Sequence, residues 1–350
     1  MDKEGCCGCG CKKDNKDQEP DVCIDMVSTR LGWKDYFGGF KARWGINRDN
    51  YKVAPGLYAV GNPDKGSNVF VTANYKLTFD VLRKNLVGVD GWLLVLDTKG
   101  VNVWCAAGKG TFGTEELIER IEKSGLSRVV DHKKIIVPQL GAVGVSACEV
   151  KSATGFEVIY GPVRACDINL FLDNGLKSDG VMRQAKFTFY DRLVVVPMEM
   201  VIALKYFLVA AVIVLLVAGL RIEDKVFVIN FKDCIFGLSA LVGAFISGTI
   251  LGPLMLPFLP GRSFSFKGFF MGLITAGFLA DLFGVPIKNI EFIGMSLVVI
   301  AASSFFTMNF TGTSTYTSLS GVMKDMRVGM PLQAVAMTLG VVLYVIAKFL

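Results

Sequence analysis

The pattern of hydrophobic and polar positions changes near residue 197. Before it, short apolar runs alternate with amphipathic segments. The apolar runs predict β-strands at residues 57–60, 68–73, 92–97, 134–137, 156–160 and 193–196. The amphipathic segments predict helices at residues 76–87, 114–124 and 164–174. Strands that alternate with helices favour an α/β domain built on a mostly parallel, doubly wound sheet.

Long apolar runs dominate the rest of the chain. Five of them are near the roughly 20 residues that a helix needs to cross about 30 Å of hydrocarbon. They lie at residues 200–220, 234–256, 268–287, 292–310 and 331–350. The pattern therefore predicts three parts: a Cys-rich flexible tail (1–25), an α/β domain (26–197) and an all-α domain of about five transmembrane helices (198–350).

Composition and charge agree with a membrane protein. Hydrophobic residues make up 52% of the chain, and the mean hydropathy is +0.48. The net charge of +6 is modest and is spread over loops, so we expect no nucleic-acid partner. The first 20 residues contain no apolar stretch typical of a signal peptide. We therefore expect a multi-pass protein of the cytoplasmic (inner) membrane, with the N-terminal domain in the cytoplasm.

The N-terminal tail contains a cluster of thiols at Cys6, Cys7, Cys9 and Cys11. Four thiolates so close together suit the capture of a soft cation. However, their spacing matches neither a zinc ribbon nor a ferredoxin motif. Two interpretations stay open: soft-metal capture and an inert tail.

A further thiol, that of Cys105, lies in the octapeptide of residues 102–109, which follows the predicted strand 92–97. Open α/β sheets bind ligands outside the carboxyl ends of their strands, which is where this segment falls. A phosphate-binding loop is excluded, because Trp104 replaces its first glycine and Gly110 follows the lysine. The single histidine, His132, argues against a Cys-His hydrolase. The residues leave two alternatives, a thiolate ligand of a metal cofactor and a buried structural cysteine.

The octapeptide carries a family resemblance. Its residues are Asn102, Val103, Trp104, Cys105, Ala106, Ala107, Gly108 and Lys109. This order resembles the cap-helix signature of the mercury-methylating corrinoid proteins of anaerobic bacteria and archaea. The α/β region is similar to the corrinoid-binding domain of the corrinoid iron–sulfur protein of the acetyl-CoA pathway. The resemblance implies a Rossmann-like corrinoid-binding domain, with the octapeptide forming a cap helix that contacts the cofactor.

The same resemblance implies a chemistry. The cofactor would be a cobalamin-like corrinoid, bound base-off with Cys105 as the lower axial ligand of cobalt. The protein would be a methyltransferase that accepts a methyl group on cobalt and passes it to Hg(II), giving methylmercury. The implied partners are a ferredoxin with two [4Fe–4S] clusters as reductant and a methyl donor such as a methylated folate. The absence of an Asp-x-His-x-x-Gly motif agrees with a cysteine ligand in place of histidine.

Further cofactor contacts are expected from loops that follow the strands. These candidates are Thr72, Ala73, Asn74, Gln139, Leu140, Gly141 and Ala142. The thiols of the N-terminal tail would capture Hg(II) for transfer toward Cys105. Two other functions stay open: a membrane-bound methyl carrier with another acceptor, and a membrane transporter whose cytoplasmic domain senses thiol-reactive metals.

Overall fold

The computed structural model describes residues 24–223, 226–286, 289–313 and 319–348. These residues divide into two compact units. The α/β unit contains Asp49–Arg183 and the described residues before Tyr36. The helical unit contains Tyr36–Arg48 and the described residues from Gln184 onward. The four thiols predicted to capture metal, at positions 6, 7, 9 and 11, lie outside the described residues.

The α/β unit is organised around a mixed six-stranded sheet in the order β1-β2-β4-β3-β5-β6. The strands are β1 (Asp25–Met26), β2 (Gly56–Val60), β3 (Asn68–Ala73), β4 (Gly91–Leu96), β5 (Lys134–Val137) and β6 (Glu157–Tyr160). β3 pairs in parallel with β4 and with β5, and β5 pairs in parallel with β6. β2 runs antiparallel to β4. The predicted α/β class is confirmed.

Helices connect the strands. They are α1 (Trp33–Arg43), α2 (Lys76–Lys84), α3 (Val103–Lys109), α4 (Thr114–Lys123), α5 (Leu126–Val129), α6 (Ala147–Thr154) and α7 (Ile168–Asp173). α2 and α7 bury Phe79 and Phe171 on one side of the sheet. α4 and α5 bury Leu117 and Leu126 on the other. Both faces of the sheet are thus covered by apolar helix faces.

The elements mostly match their predicted bounds. Strands 68–73 and 134–137 are confirmed without change, and helix 114–124 ends one position early. Acidic side chains in the first turn of α4 and basic ones in its last turn favour a helix here. The predicted helix 164–174 begins only at Ile168, after a 3₁₀ turn. The predicted strand 193–196 is wrong, because these residues lie inside a helix that begins at Phe189.

The helical unit contains α8 (Phe189–Gly219), a hairpin of β7 (Leu220–Glu223) and β8 (Val226–Ile229), α9 (Phe231–Ile246), α10 (Gly252–Met255), α11 (Phe264–Phe283), α12 (Ile290–Asn309) and α13 (Leu319–Ile346). A π-helical turn, Ser247–Leu251, joins α9 to α10. Within the described residues, five helical segments are long and apolar enough to cross a membrane. The predicted number of spans is therefore confirmed.

All five helices begin before the predicted starts of the spans, and two of them do so by more than ten positions. α8 starts at Phe189 rather than at residue 200, and Pro197 lies inside it. α13 starts at Leu319 rather than at residue 331, and Pro331 lies within the helix. The predicted last span begins at Pro331, whereas the helix continues through this residue. In transmembrane helices an internal proline is tolerated, because neighbouring helices can satisfy the freed backbone groups.

Candidate functional site

α3 is fixed at both ends by local hydrogen bonds. The side chain of Asn102 accepts a hydrogen bond from the backbone N–H of Cys105 at 2.9 Å, which caps the first turn. Gly110 ends the helix with φ 82°, a conformation that glycine adopts at low cost. The backbone N–H of Gly110 donates hydrogen bonds to the carbonyl oxygens of Ala106 and Ala107. Most of the octapeptide therefore forms a short helix that is capped at both ends.

The two faces of α3 differ. Val103, Ala106 and Ala107 are buried in the core beneath the helix. Cys105 is exposed, and the indole of Trp104 is 37% exposed. The exposure of Cys105 argues against a buried structural cysteine and leaves its thiol accessible to a ligand. The alanine pair packs into the protein rather than extending an outer apolar surface.

A cavity of about 270 Å³ lies beside α3. Most of its lining is apolar, and it includes residues of β3, α2 and the segment after β6. Five of the predicted cofactor contacts line it: Thr72, Asn102, Val103, Trp104 and Leu140. The others lie outside its lining: Ala73, Asn74, Cys105, Ala106, Ala107, Gly108, Lys109, Gln139, Gly141 and Ala142. Cys105 thus neighbours the cavity through Trp104, on the exposed side of the helix.

The cavity has the position at which open α/β sheets bind ligands. β3 lies between β4 and β5, so the connections that leave β3 and β4 run to opposite sides of the sheet. Thr72 near the end of β3 and Pro138 after β5 both line the cavity. Side chains and loops diverge at such a switch point and leave a crevice outside the carboxyl ends of the strands.

Asn74 holds the loop that leads into α3. Its side-chain oxygen accepts hydrogen bonds from the backbone N–H groups of Thr98 at 3.2 Å and Gly100 at 2.9 Å. Its amide nitrogen donates to Asp97 at 3.0 Å. A hydrogen bond from Lys99 lowers the pKa of Asp97, which keeps that acceptor charged. Asn74 is buried, so the structure gives it a positioning role instead of a place in the cavity wall.

The loop after β5 packs closely beneath α3. A Cβ atom at Gly141 would lie 2.4 Å from the ring of Phe112. One at Gly144 would lie 2.2 Å from the carbonyl oxygen of Phe112 and 3.2 Å from the Cα of Ala107. Only glycine permits this close approach. The loop supports the helix from below while Leu140 reaches the cavity.

Sequence reasoning missed the contribution of the helices to the cavity. Thr78, Val81 and Leu82 of α2 line it, as do Ala165 and Ile168 near the start of α7. Val81 is an exposed hydrophobic side chain on an amphipathic helix. Such a side chain is a weak signal by itself, because isolated apolar residues are common on protein surfaces.

The donor set around α3 suits one kind of metal cofactor. Among the described residues, no group of three or more His, Cys, Asp or Glu side chains could hold a metal ion. A single accessible thiol fits one axial position of a metal that brings its other ligands with it. The mostly apolar lining of the cavity, which includes Trp104 and Val81, suits an apolar part of such a ligand. The residues present are thus compatible with a corrinoid.

Comparisons with known proteins concern this part of the chain. Residues 46–172 match the family model described as the CO dehydrogenase/acetyl-CoA synthase delta subunit. The α/β unit is similar to proteins of acetyl-CoA metabolism. The matched range includes every residue of the cavity lining.

Two relatives illustrate the similarity. The acetyl-CoA decarbonylase/synthase complex subunit gamma of Methanopyrus kandleri is 33% identical over 138 residues, covering 39% of this chain and 29% of the relative. The corrinoid/iron-sulfur protein large subunit of Moorella thermoacetica is 33% identical over 129 residues, covering 36% and 28%. The chain therefore spans less than a third of the length of these curated relatives.

Proposed function

We propose that this protein is a membrane-bound corrinoid methyltransferase that uses Hg(II) as the methyl acceptor. The observation that carries the proposal is the exposed Cys105 thiol on a capped helix, beside an apolar cavity at the switch point of the sheet. This arrangement falls within residues 46–172, which match the CO dehydrogenase/acetyl-CoA synthase delta subunit model, and the chain is also similar to a corrinoid/iron-sulfur protein. When bound, a corrinoid supplies a cobalt centre that can carry a methyl group.

We assign a separate role to each residue of the site. Asn102 fixes the first turn of α3 and so orients Cys105, which we assign as the lower axial ligand. Trp104 and Val103 contribute to the apolar wall of the cavity. Asn74 holds the preceding loop in place.

The identity of the axial ligand bears on the choice of substrate. Hg(II) is an electrophile, so it must receive the methyl group with bonding electrons or as a radical equivalent. A thiolate is a strong electron donor, which is the property that this direction of transfer requires. From the family resemblance of the octapeptide, we infer a two-cluster [4Fe–4S] ferredoxin as the reductant and a methylated folate as the methyl donor.

The test compares two cysteine variants of the full-length protein in lipid nanodiscs. Cys105→Ala removes the proposed ligand, and Cys148→Ala removes another exposed thiol of the α/β unit as a matched control. After anaerobic loading with a cobalt corrinoid, the absorption spectrum reports binding, and methylmercury is measured by mass spectrometry. We expect Cys105→Ala to bind corrinoid with an altered spectrum and to lose methylmercury formation, while Cys148→Ala matches the unaltered protein. Full activity of Cys105→Ala would contradict the ligand role.

The similarity to acetyl-CoA synthase subunits favours one alternative, a methyl carrier whose physiological acceptor is not mercury. The same preparation separates the two functions. A corrinoid-loaded protein that becomes methylated yet forms no methylmercury from Hg(II) supports the alternative. A protein that binds no corrinoid contradicts both functions and favours a thiol-dependent metal sensor.

A further inference from the structure

A stripe of aromatic side chains lies on the segment of residues 36–48, in the helical unit. Its members are Tyr36, Phe37, Phe40 and Trp44, which we call the aromatic face. The first three are 53%, 51% and 54% exposed. At 100° per residue these four positions fall within an arc of about 100° on one side of the helix. Aromatic residues this exposed and this aligned are unusual on a surface that faces only water.

The other side of the same segment packs inward. Gly39 and Ala42 are buried. A Cβ atom at Gly45 would lie 3.5 Å from the side chains of Met198 and Val201 in α8. The segment therefore rests on the first membrane span, next to the start of its long apolar stretch. Because of this contact, the aromatic face would lie at the depth at which α8 enters the membrane.

The charges of the segment follow the same geometry. Residues 36–48 contain Lys41, Arg43 and Arg48 and no acidic residue. Lys41 and Arg43 fall on either side of the aromatic arc. The ammonium of Lys41 lies 5.7 Å from the centre of the Phe37 ring, so its aliphatic stem follows the aromatic surface. An aromatic face bordered by cations is the pattern of a helix that lies in a membrane interface.

We propose that residues 36–48 lie in the interface plane of the membrane that α8 crosses, with the aromatic face against lipid. The rings would enter the boundary between headgroups and acyl chains, where aromatic residues are enriched, and the flanking cations would meet the headgroups. Continuity favours lipid over a protein partner. The segment packs on α8, an apolar helix long enough to cross a membrane, few of whose residues are buried within the protein.

Site-specific photocrosslinking in lipid nanodiscs tests the proposal on the full-length protein. Phe40→p-benzoylphenylalanine keeps an aromatic side chain at the proposed interface. The same amino acid at Val212, an exposed position in α8, gives the positive control. At Val181, equally exposed but in the α/β unit, it gives the matched negative control. Mass spectrometry then identifies what each position has crosslinked after irradiation.

We expect lipid adducts at positions 40 and 212 and none at position 181. Adducts at 212 without adducts at 40, or crosslinks from 40 to another protein chain, would overturn the proposal. If the variant at position 40 does not fold, the same substitution at Tyr36 or Phe37 gives the same reading, because both rings belong to the aromatic face. Lipid adducts at all three positions, including 181, would also overturn it, since exposure alone would then explain the result.

Discussion

The two units bury different kinds of side chain. In the α/β unit, the sheet buries large aliphatic residues such as Leu94 and Ile135, which are fully inaccessible. In the helical unit, α11 and α12 approach so closely that a Cβ atom at Gly268 or Gly272 would lie 2.7 or 2.6 Å from a backbone Cα of α12. Burial from water drives the first kind of packing. Lipid offers no such gain, so spans associate through close backbone contact and hydrogen bonds.

Buried polar contacts are partly shared by the two units. In the α/β unit, Lys76 and Arg83 form ion pairs with Asp35 and Asp80 at 2.6–2.8 Å, largely shielded from solvent. In the helical unit, neutral hydroxyl groups link the spans. Ser303 of α12, for example, donates to the carbonyl of Gly268 at 3.1 Å. Lys348 also pairs with Asp233 at 2.8 Å and with Glu291 at 2.6 Å in that unit, so both units bury charged pairs, and the helical unit adds hydroxyl links between its helices.

The largest effect on stability is expected from a substitution that removes buried side-chain volume from the sheet. Leu94→Ala should lower the free energy of unfolding of the α/β unit by about 2–5 kcal/mol, because it removes buried methyl groups and leaves a void. Amide hydrogen exchange of peptides from β3 and β4 measures the change within the intact protein. Val143→Ala, at an 83% exposed position, is the control and should change little. Equal effects of the two substitutions would mean that burial does not stabilise this core.

Adding a methyl group where two helices are in close contact should destabilise the helical unit. Gly268→Ala adds a methyl group where backbone and side-chain atoms of α12 leave no room, and we expect a loss of about 1–3 kcal/mol. Thermal unfolding in detergent, followed by circular dichroism, gives the measurement. Gly277→Ala, in the same helix but with nothing within 4 Å of the new methyl group, should be neutral or stabilising. Similar losses from both variants would attribute the effect to helix propensity rather than to packing.

The smallest effect is a pH dependence confined to the α/β unit. Burial by itself would raise the pKa of Asp35, but hydrogen bonds from Lys76, Gly32 and Arg83 lower it from 3.8 to about 2. A pKa lower in the folded state means stability that is complete above about pH 4 and lost as the pH falls toward 2. The loss should be up to about 2 kcal/mol.

Hydrogen exchange of α2 peptides at pH values from 5 to 2.5 measures this loss, with corrections for intrinsic exchange rates. Asp35→Asn should flatten the dependence in α2. Peptides of α12 around Ser303 serve as the internal control, since the hydrogen bond from this hydroxyl to the Gly268 carbonyl contains no group that titrates in this range. An unaltered slope in Asp35→Asn would assign the pH dependence to other carboxylates.

The sequence predicted the architecture where local patterns decide it. The strand at 68–73 is flanked by turn residues and needs no distant information, and its bounds are confirmed. The error at 193–196 has the opposite origin. Its β-branched run is typical of a strand, but it belongs to a helix continuous with a membrane span. In an almost wholly apolar stretch, periodicity cannot separate a strand from a helix.

The candidate site was predictable only in part. The N-cap at Asn102 and the glycine stop at Gly110 are local signals, but the helix between them was expected only from the family resemblance. Which residues face the cavity depends on tertiary contacts. Thr78 and Val81 reach it because α2 packs across the sheet beside β3, and Asn74 turns away from it to bind a loop 24 positions further on. The sequence alone does not show in which direction the side chains of α2 or of Asn74 point.

The order of the two units along the chain has a consequence for how the α/β unit is retained. Residues 36–48 belong to the helical unit and precede Asp49–Arg183, whose end leads back into the helical unit at Gln184. The α/β unit is thus largely an insertion into a membrane protein, and not a module appended to its end. A single proteolytic nick near residue 183 leaves it covalently joined to the segment that packs on Met198 and Val201. Its release into solution requires the chain to be broken on both sides.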